Sequence, residues 1–428
     1  MRPVRRAVGA VVTKKLLTPF LLISCLFISL ASAQDLPVNE LQINISGYFD
    51  SFDVNVLYPN LSFTKRVSES TSLTGRYLVD MITAASIRRG GGNSTNSENE
   101  NEQFDDEFEK IAKSTSSNNV DAVTAASTSG IGGARGAQSG RPAYDDVRHQ
   151  FDLGATHLLA GNRINLNGIY SIERDYISST LAGTISRDFA LKNTTLEIGF
   201  VRSWDRVFPV TKDWTRHKNV VSYSANFSQL LSTYTLIQFL TSYSENSGYL
   251  ADAYEQVSIG PSSAPVLYDP IHPDNRIRRA AATQIKFRLD QSSSMQVGYR
   301  YYWDSWKIKS HTISANYMTY LSQHTIFNLG LRHYLQSRAY FFEPKYFQPQ
   351  PLMTVDIKLD EGYSNELQLG LTLEGGRGQD YLPFLISENV QYNLALNIYQ
   401  RHTQTGYWFN GYKTLIAANF NIGIRYRF

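Results

Sequence analysis

The chain has 428 residues, with 41 Lys and Arg against 38 Asp and Glu, a formal charge of +3, 13% aromatic residues and one cysteine. A lone cysteine excludes an intrachain disulfide framework and a multi-cysteine metal site. Near-balanced charge excludes the strongly basic face of a nucleic-acid-binding protein.

At the start of the chain, Arg2, Arg5, Arg6, Lys14 and Lys15 precede an apolar run from Leu16 to Leu30 that closes on Ala31-Ser32-Ala33. This is the pattern of a secretory signal, residues 1–33, with Gln34 first in the mature chain. Removal takes the only cysteine and five of the 41 basic residues, leaving 36 against 38 acids. Leu22-Ile23-Ser24-Cys25 offers a second reading as a lipoprotein cleavage site, disfavoured by the apolar Leu26-Phe27-Ile28-Ser29-Leu30 that follows it. The run falls short of the ~20 apolar residues a spanning helix needs, and no later run approaches that length.

A first strand is predicted near 41–50, and short polar links at 68–70, 161–162, 192–194, 232–233, 291–294 and 322–323 alternate with longer ones at 85–146, 174–179, 204–217, 246–276, 304–310, 338–362 and 402–411. "VDMITAAS" at 79–86 is expected to be the outer end of the second strand, with Tyr77, Val79 and Met81 toward lipid and Arg76 and Asp80 toward the lumen. A near copy, "VDAVTAAS" at 120–127, precedes the third strand, so the two phrases flank one connection. There is no third copy, which excludes a fixed-period solenoid.

Further along, Met295, Val297, Tyr299, Tyr301 and Trp303 alternate with Gln296, Gly298, Arg300 and Asp304. Leu367, Leu369, Leu371 and Leu373 alternate with Glu366, Gln368, Gly370 and Thr372, and Val390, Tyr392, Leu394, Leu396 and Ile398 share a face opposite Gln391, Asn393 and Asn397. In the last segment Phe420, Ile422, Ile424, Tyr426 and Phe428 oppose Asn419, Asn421, Gly423, Arg425 and Arg427. Inward faces this polar would cost about 1–3 kcal/mol per unpaired group in a dry sandwich core; around a wet lumen they do not. The fold class that follows is all-β, a transmembrane antiparallel up-and-down β-barrel of about 16 strands, roughly 14 to 18 within boundary error. The barrel occupies 34–428, with a long low-complexity extracellular loop at about 85–146. Tyr426 and Phe428 are expected to form the signal read by the outer-membrane insertion machinery.

"YLVDMITAAS", "AYDDVRHQFDLGATHLL", "SIERDYISS" at 171–179, "RSWDRV" at 202–207, "GYLADAYEQV" at 248–257, "PDNRIRRAA" at 273–281 and "GYRYYWDSWKIKSHT" at 298–312 make the chain resemble a family of bacterial outer-membrane barrels known as domain of unknown function 3570. In that family the two Asp-Thr-Ala-Ser phrases stand almost adjacent; here residues 87–119 separate them. The resemblance implies fold and location but no substrate. It also implies a gene context containing a small lipoprotein, a thioredoxin-like protein and a flavin transferase.

Arg76, Asp80, Lys286, Arg288, Arg300, Arg332, Glu366 and Arg425 are the candidate lumen residues. The basic members could line an anion path, or pair with acids such as Asp80, Asp152, Glu197, Asp290 and Glu366 to fill a closed lumen. Asp80 and Asp121, each followed by Thr and Ser, are weak calcium candidates; a plain polar hairpin above the rim is the simpler reading. Rim clusters are expected at Glu173-Arg174-Asp175 and at Arg276, Arg278 and Arg279. Interfacial girdles are expected at Tyr299, Tyr301, Trp303, Trp306, Tyr407, Trp408, Phe409 and Tyr412. His157 is placed on the lipid side near a periplasmic turn. No nucleophile elbow, zinc spacing or phosphate loop occurs, so neither an enzyme nor a cofactor is expected. The sequence therefore points to a porin-like channel for small polar solutes in the outer membrane, or to a closed-lumen scaffold or receptor. Its expected partners are membrane lipid, the insertion machinery and a periplasmic lipoprotein, with no nucleic acid.

Overall fold

The computed structural model describes residues 36–52, 54–84, 146–261, 264–376, 387–408 and 411–428, without the side chains of 82–84 and 146. The early strands are β1 (Glu40–Asp50), β2 (Val54–Ser68), β3 (Thr71–Ala84), β4 (Asp146–Leu159), β5 (Asn162–Ile172) and β6 (Tyr176–Phe189). Next come β7 (Thr194–Val207), β8 (Arg216–Ser232), β9 (Thr235–Gly248), and a short pair, β10 (Val257–Ile259) and β11 (Val266–Tyr268). The rest are β12 (Asn275–Arg288), β13 (Ser293–Asp304), β14 (Lys309–Ser322), β15 (Thr325–Gln336), β16 (Gly362–Glu374), β17 (Val390–Thr403) and β18 (Thr414–Arg427).

Every strand but β10 and β11 joins one closed antiparallel barrel of sixteen, in which each strand bonds the next in the chain, β9 bonds β12, and β18 returns to β1. Closure follows from the pattern: an alternating strand satisfies its backbone only by pairing on both edges, and in hydrocarbon no edge is left open. Ile43, Ile45, Leu61, Leu153, Leu166, Ile198, Phe239, Leu331, Leu394, Ile422 and Ile424 all face outward and are exposed. Their register neighbours Gln42, Asn44, Asn60, Asp152, Glu197 and Arg425 face inward and are buried. Such an inverted surface is stable only where a lipid medium covers it.

One end of the barrel carries tight turns, such as Ala160-Gly161, where both residues have positive φ of 49° and 75°. The other end carries the longer links, and the N-terminal end of β1 lies beside the C-terminal end of β18 at the turn end, Glu40 opposite Arg427.

Three expectations need correction. The strand expected near 41–50 is followed by a further one, Val54–Ser68, so "VDMITAAS" ends the third strand, β3, rather than the second, and the fourth follows the insert. The three-residue link at 51–53 has no Gly or Pro to mark it in the sequence; Asp50 closes it by accepting from the Phe52 and Val54 amides at 2.8 and 3.1 Å. Short and long links do not alternate strictly, since 375–389 between β16 and β17 is a long link at the turn end. Within β2, pairing with β3 lapses at Tyr58 and Pro59, where proline has no amide hydrogen to donate. The second phrase, Asp121 and residues 87–119 lie outside the described residues.

Candidate functional site

The lumen wall is built by the period of two: every second side chain of sixteen strands points inward, and most of these are amides, hydroxyls or charges. Neutral groups bond along and across the wall. Gln42 donates to Asn44 at 3.1 Å, and Asn44 to Asn60 at 3.0 Å. Thr156, Asn165 and Thr184 run across three strands, and Ser222, Ser244 and Asn246 link β8 to β9.

Of the expected lumen residues, Arg76 pairs with Asp152, its Nε donating at 2.5 Å, and Gln150 supports the same carboxylate at 2.9 Å. Asp80 pairs with Arg148, whose guanidinium also lies 3.7 Å from Glu173. A guanidinium thus occupies the carboxylate named as a calcium ligand, and among the described residues no group of three or more His, Cys, Asp or Glu side chains is placed to hold a metal. Arg332 lies 3.7 Å from Glu366, which also accepts from Gln368 at 2.7 Å. Arg425 lies 3.7 Å from Glu40 and donates to Gln391 at 3.2 Å. Arg300 stacks over Tyr302 at 5.7 Å. Lys286 is an exposed inward residue in the turn-end half of the barrel. Arg288 instead folds onto its own turn, donating to the Asp290 carbonyl at 2.8 Å and lying over Tyr234.

The two long links after β9 and β15 were expected as links, but their joint structure has no counterpart in the sequence reading: they fold together over the loop-end mouth as a strap. Ile271 and Met353 exchange backbone hydrogen bonds of 2.8 and 2.9 Å, while Ile259 bridges to Tyr346. Val257, Ile259, Tyr346, Met353 and Val355 form an apolar core between the links. A second core, Leu250, Ala280, Tyr302, Trp306, Ile308, Phe341, Phe342 and Leu359, ties them to the inner wall of β12 and β13. A third packs Ile357 against Tyr399, Trp408, Leu415 and Ala417 on the β17–β18 side, with Tyr48 and Phe52 beside it.

Polar bonds fix the strap at both ends. On one side the Tyr254 hydroxyl donates to Asp175 in the β5–β6 link and accepts from the Val210 amide of the β7–β8 link at 3.1 Å. On the other, Gln336 and Arg401 donate to the Lys358 carbonyl at 2.7 and 3.0 Å, and Asp360 accepts from the Thr405 and Gly406 amides at 2.8 and 2.7 Å. The joint is Glu255, 3% exposed. Its carboxylate accepts from the Thr354 hydroxyl at 2.8 Å and the Val355 amide at 2.6 Å. Burial, then the neighbouring Asp356 and Asp252, raise its pKa well above the ordinary value of 4.5; desolvation and like charge both favour the neutral acid.

The aromatic expectations divide. Tyr299 and Tyr301 face outward and contact His311, and Trp303 stacks on Tyr301 at 5.4 Å. Trp306 and Trp408 turn into the strap cores instead; Trp306, 1% exposed, lies under the Arg276 guanidinium at 4.2 Å. Tyr407 and Tyr412 are exposed, and Phe409 lies outside the described residues. His157 faces outward at the turn end, its Nδ1 2.9 Å from the Thr71 hydroxyl. Tyr426 and Phe428 stack outside β18, with Phe63 against Phe428. The rim clusters separate: Glu173 and Asp175 take the partners given above, Arg276 turns inward to Asp304 at 2.6 Å, and Arg279 faces out over Tyr243.

Sixteen closed strands, an apolar outer belt and a polar interior define an integral barrel of the outer-membrane type. The chain belongs to the family "Protein of unknown function (DUF3570)", whose model matches residues 29–217 and 211–412. No curated protein matches it in sequence. Among solved structures it is similar to the siderophore receptor PirA from Pseudomonas aeruginosa, at 8% identity and a TM-score of 0.43 over 91% of this chain and 62% of that one. It is also similar to a bacterial polysaccharide outer membrane secretin, at 7% identity and 0.43 over 92% and 100%. A loop-deletion form of OmpT, an outer membrane protein of Vibrio cholerae, matches at 8% and 0.40 over 91% and 99%. The chain spans less than two thirds of the siderophore receptors it resembles.

Proposed function

We propose that this barrel is an outer-membrane channel for small polar solutes, with its turn end in the periplasm and its strap acting as the size-limiting constriction at the outer mouth. The observation that carries the reading is the polar interior. Hydroxyls, amides and charges line the barrel over its full height, and Gln284, Gln296, Asn316, Asn328 and Gln368, facing inward below the strap, are only half-buried. A barrel of about 16 strands has room for an aqueous path. Charged side chains along such a path set its ion selectivity.

Purified protein in planar bilayers is expected to give small, discrete conductance steps. A silent bilayer containing protein that still shows heat-modifiable gel migration would refute the channel. That outcome fits the second reading, a closed barrel serving as a scaffold for a periplasmic lipoprotein, which the packed strap and the paired lumen charges favour. Both readings are of a non-enzymatic protein, assembled by the outer-membrane insertion machinery from a precursor whose signal ends at Ala33.

A further inference from the structure

Charge is sorted between the two faces of the wall. Inward positions hold the carboxylates of Glu40, Asp80, Asp152, Glu197, Asp205, Asp304 and Glu366, whereas Glu245 is the one acid that register places outward among the described strand residues. Outward cations gather near the loop end, with Arg202 and Arg206 on β7, Arg279 on β12 and Lys309 on β14. The Arg202 guanidinium lies over the Trp204 ring at 5.4 Å and that of Arg279 over Tyr243 at 5.7 Å. Neither they nor Arg206 makes an ion pair within the described structure. A ring face attracts the charge but accepts none of the guanidinium's N–H groups as a carboxylate would, which leaves them for bidentate phosphate recognition.

Two histidines extend the belt. His149 Nδ1 lies 2.9 Å from the Tyr77 hydroxyl, and His311 Nδ1 lies 2.7 Å from that of Tyr299. With the phenol donating to Nδ1, each ring keeps Nε2–H as a donor outside the barrel. Below the belt the outer wall is apolar, with Phe200, Ile198 and Val297 exposed. An occupant must therefore offer anionic oxygen at one end and hydrocarbon at the other. Surplus cations opposite a single carboxylate, directly above a hydrocarbon-facing wall, match a lipid with phosphate on its headgroup; a free anion would gain nothing from that wall.

The geometry points to a headgroup-binding belt at the loop end that holds phosphate-bearing lipids of the surrounding leaflet through Arg202, Arg206 and Arg279. The inference rests on the membrane-spanning reading, and its test separates the two. Wild-type protein is reconstituted in phosphatidylcholine vesicles containing phosphatidic acid, extracted in mild detergent, and examined for retained lipid by native mass spectrometry. Phosphatidic acid is expected to be retained over phosphatidylcholine, and R202Q/R206Q/R279Q is expected to retain it about tenfold less per guanidinium lost, as charge-assisted hydrogen bonds predict. Lys65→Gln, at the opposite end of the wall over Phe428, should retain it as wild type does. Heat-modifiable migration confirms folding, and R202Q and R279Q singly replace the triple variant if it does not fold. Equal retention by the folded variants, or displacement by inorganic phosphate, overturns the belt while leaving the barrel intact. Failure of the wild type to insert overturns the membrane reading instead.

Discussion

Removing the carboxylate of Asp304 tests whether the inner wall of β12 and β13, against which the strap packs, is a tightly paired, water-excluded anchor. Arg276, 0% exposed, donates to Asp304 Oδ2 through Nε at 2.8 Å and Nη2 at 2.6 Å. The Tyr302 hydroxyl donates to the same oxygen at 2.8 Å, and the Ile308 amide to the other at 2.9 Å. Asp304→Ala strips four donors of one acceptor group and leaves a buried guanidinium without this counter-charge, which costs about 3–5 kcal/mol for a buried pair. The stack of Arg276 on Trp306 is present before and after the change and cancels in the difference, so the full loss of about 3–5 kcal/mol is expected. Asp304→Asn keeps an acceptor for Ile308 and should lose less. Replacing both partners, as in R276M/D304N, should fall nearer wild type than either single change, because no unpaired charge remains. Urea unfolding in lipid vesicles, followed by tryptophan fluorescence, gives each value. An Asp304→Ala loss below about 1 kcal/mol would refute the account of a tightly coupled, water-excluded anchor.

Three further outcomes are expected. Glu255 has a raised pKa when the strap is closed, so closure is stabilised below the ordinary value of 4.5 and weakened as pH rises through the raised one; intrinsic-rate-corrected hydrogen exchange at the Val355 amide should quicken with pH in the wild type, and Glu255→Gln should abolish that slope. Gly248 sits at φ +104° with the His217 carbonyl oxygen where a Cβ would go, so Gly248→Ala should destabilise the folded barrel by about 1–3 kcal/mol, measured by the same unfolding assay. Arg332 and Glu366 are 3.7 Å apart and partly solvated, so Glu366→Gln should change stability by less than about 1 kcal/mol while altering the ion selectivity of any conductance measured in asymmetric salt.

The wall was legible in the sequence because the lipid imposes it: an apolar residue at every second position from Leu367 to Leu373, or from Phe420 to Phe428, has one physical meaning in a chain without spanning helices. Arg76, Asp80, Arg332, Glu366 and Arg425 were placed inward by that rule alone. The strap was not legible, since links with Pro261, Pro265, Pro270, Pro344, Pro349 and Pro351 read as irregular. One signal was there to be found: Met353, Val355, Ile357 and Leu359 alternate like a strand within a supposed loop, and all four are buried. Thr354 and Lys358 between them and Asp360 just after them are buried too, because this segment is covered on both faces and belongs to no wall. Trp306 and Trp408 were misplaced for the same reason, as girdle aromatics and mouth-filling aromatics look alike without knowing what folds over them.

The pairing of β1 with β18 bears on how such a molecule comes into being. That seam joins groups as remote as Ser46 and Asn421, 375 residues apart. Zipping it costs roughly 4 kcal/mol more in chain entropy than a four-residue hairpin does. Until the final strand is delivered, two unsatisfied edges stay open to any passing strand, so the barrel gains its watertight ring last and all at once.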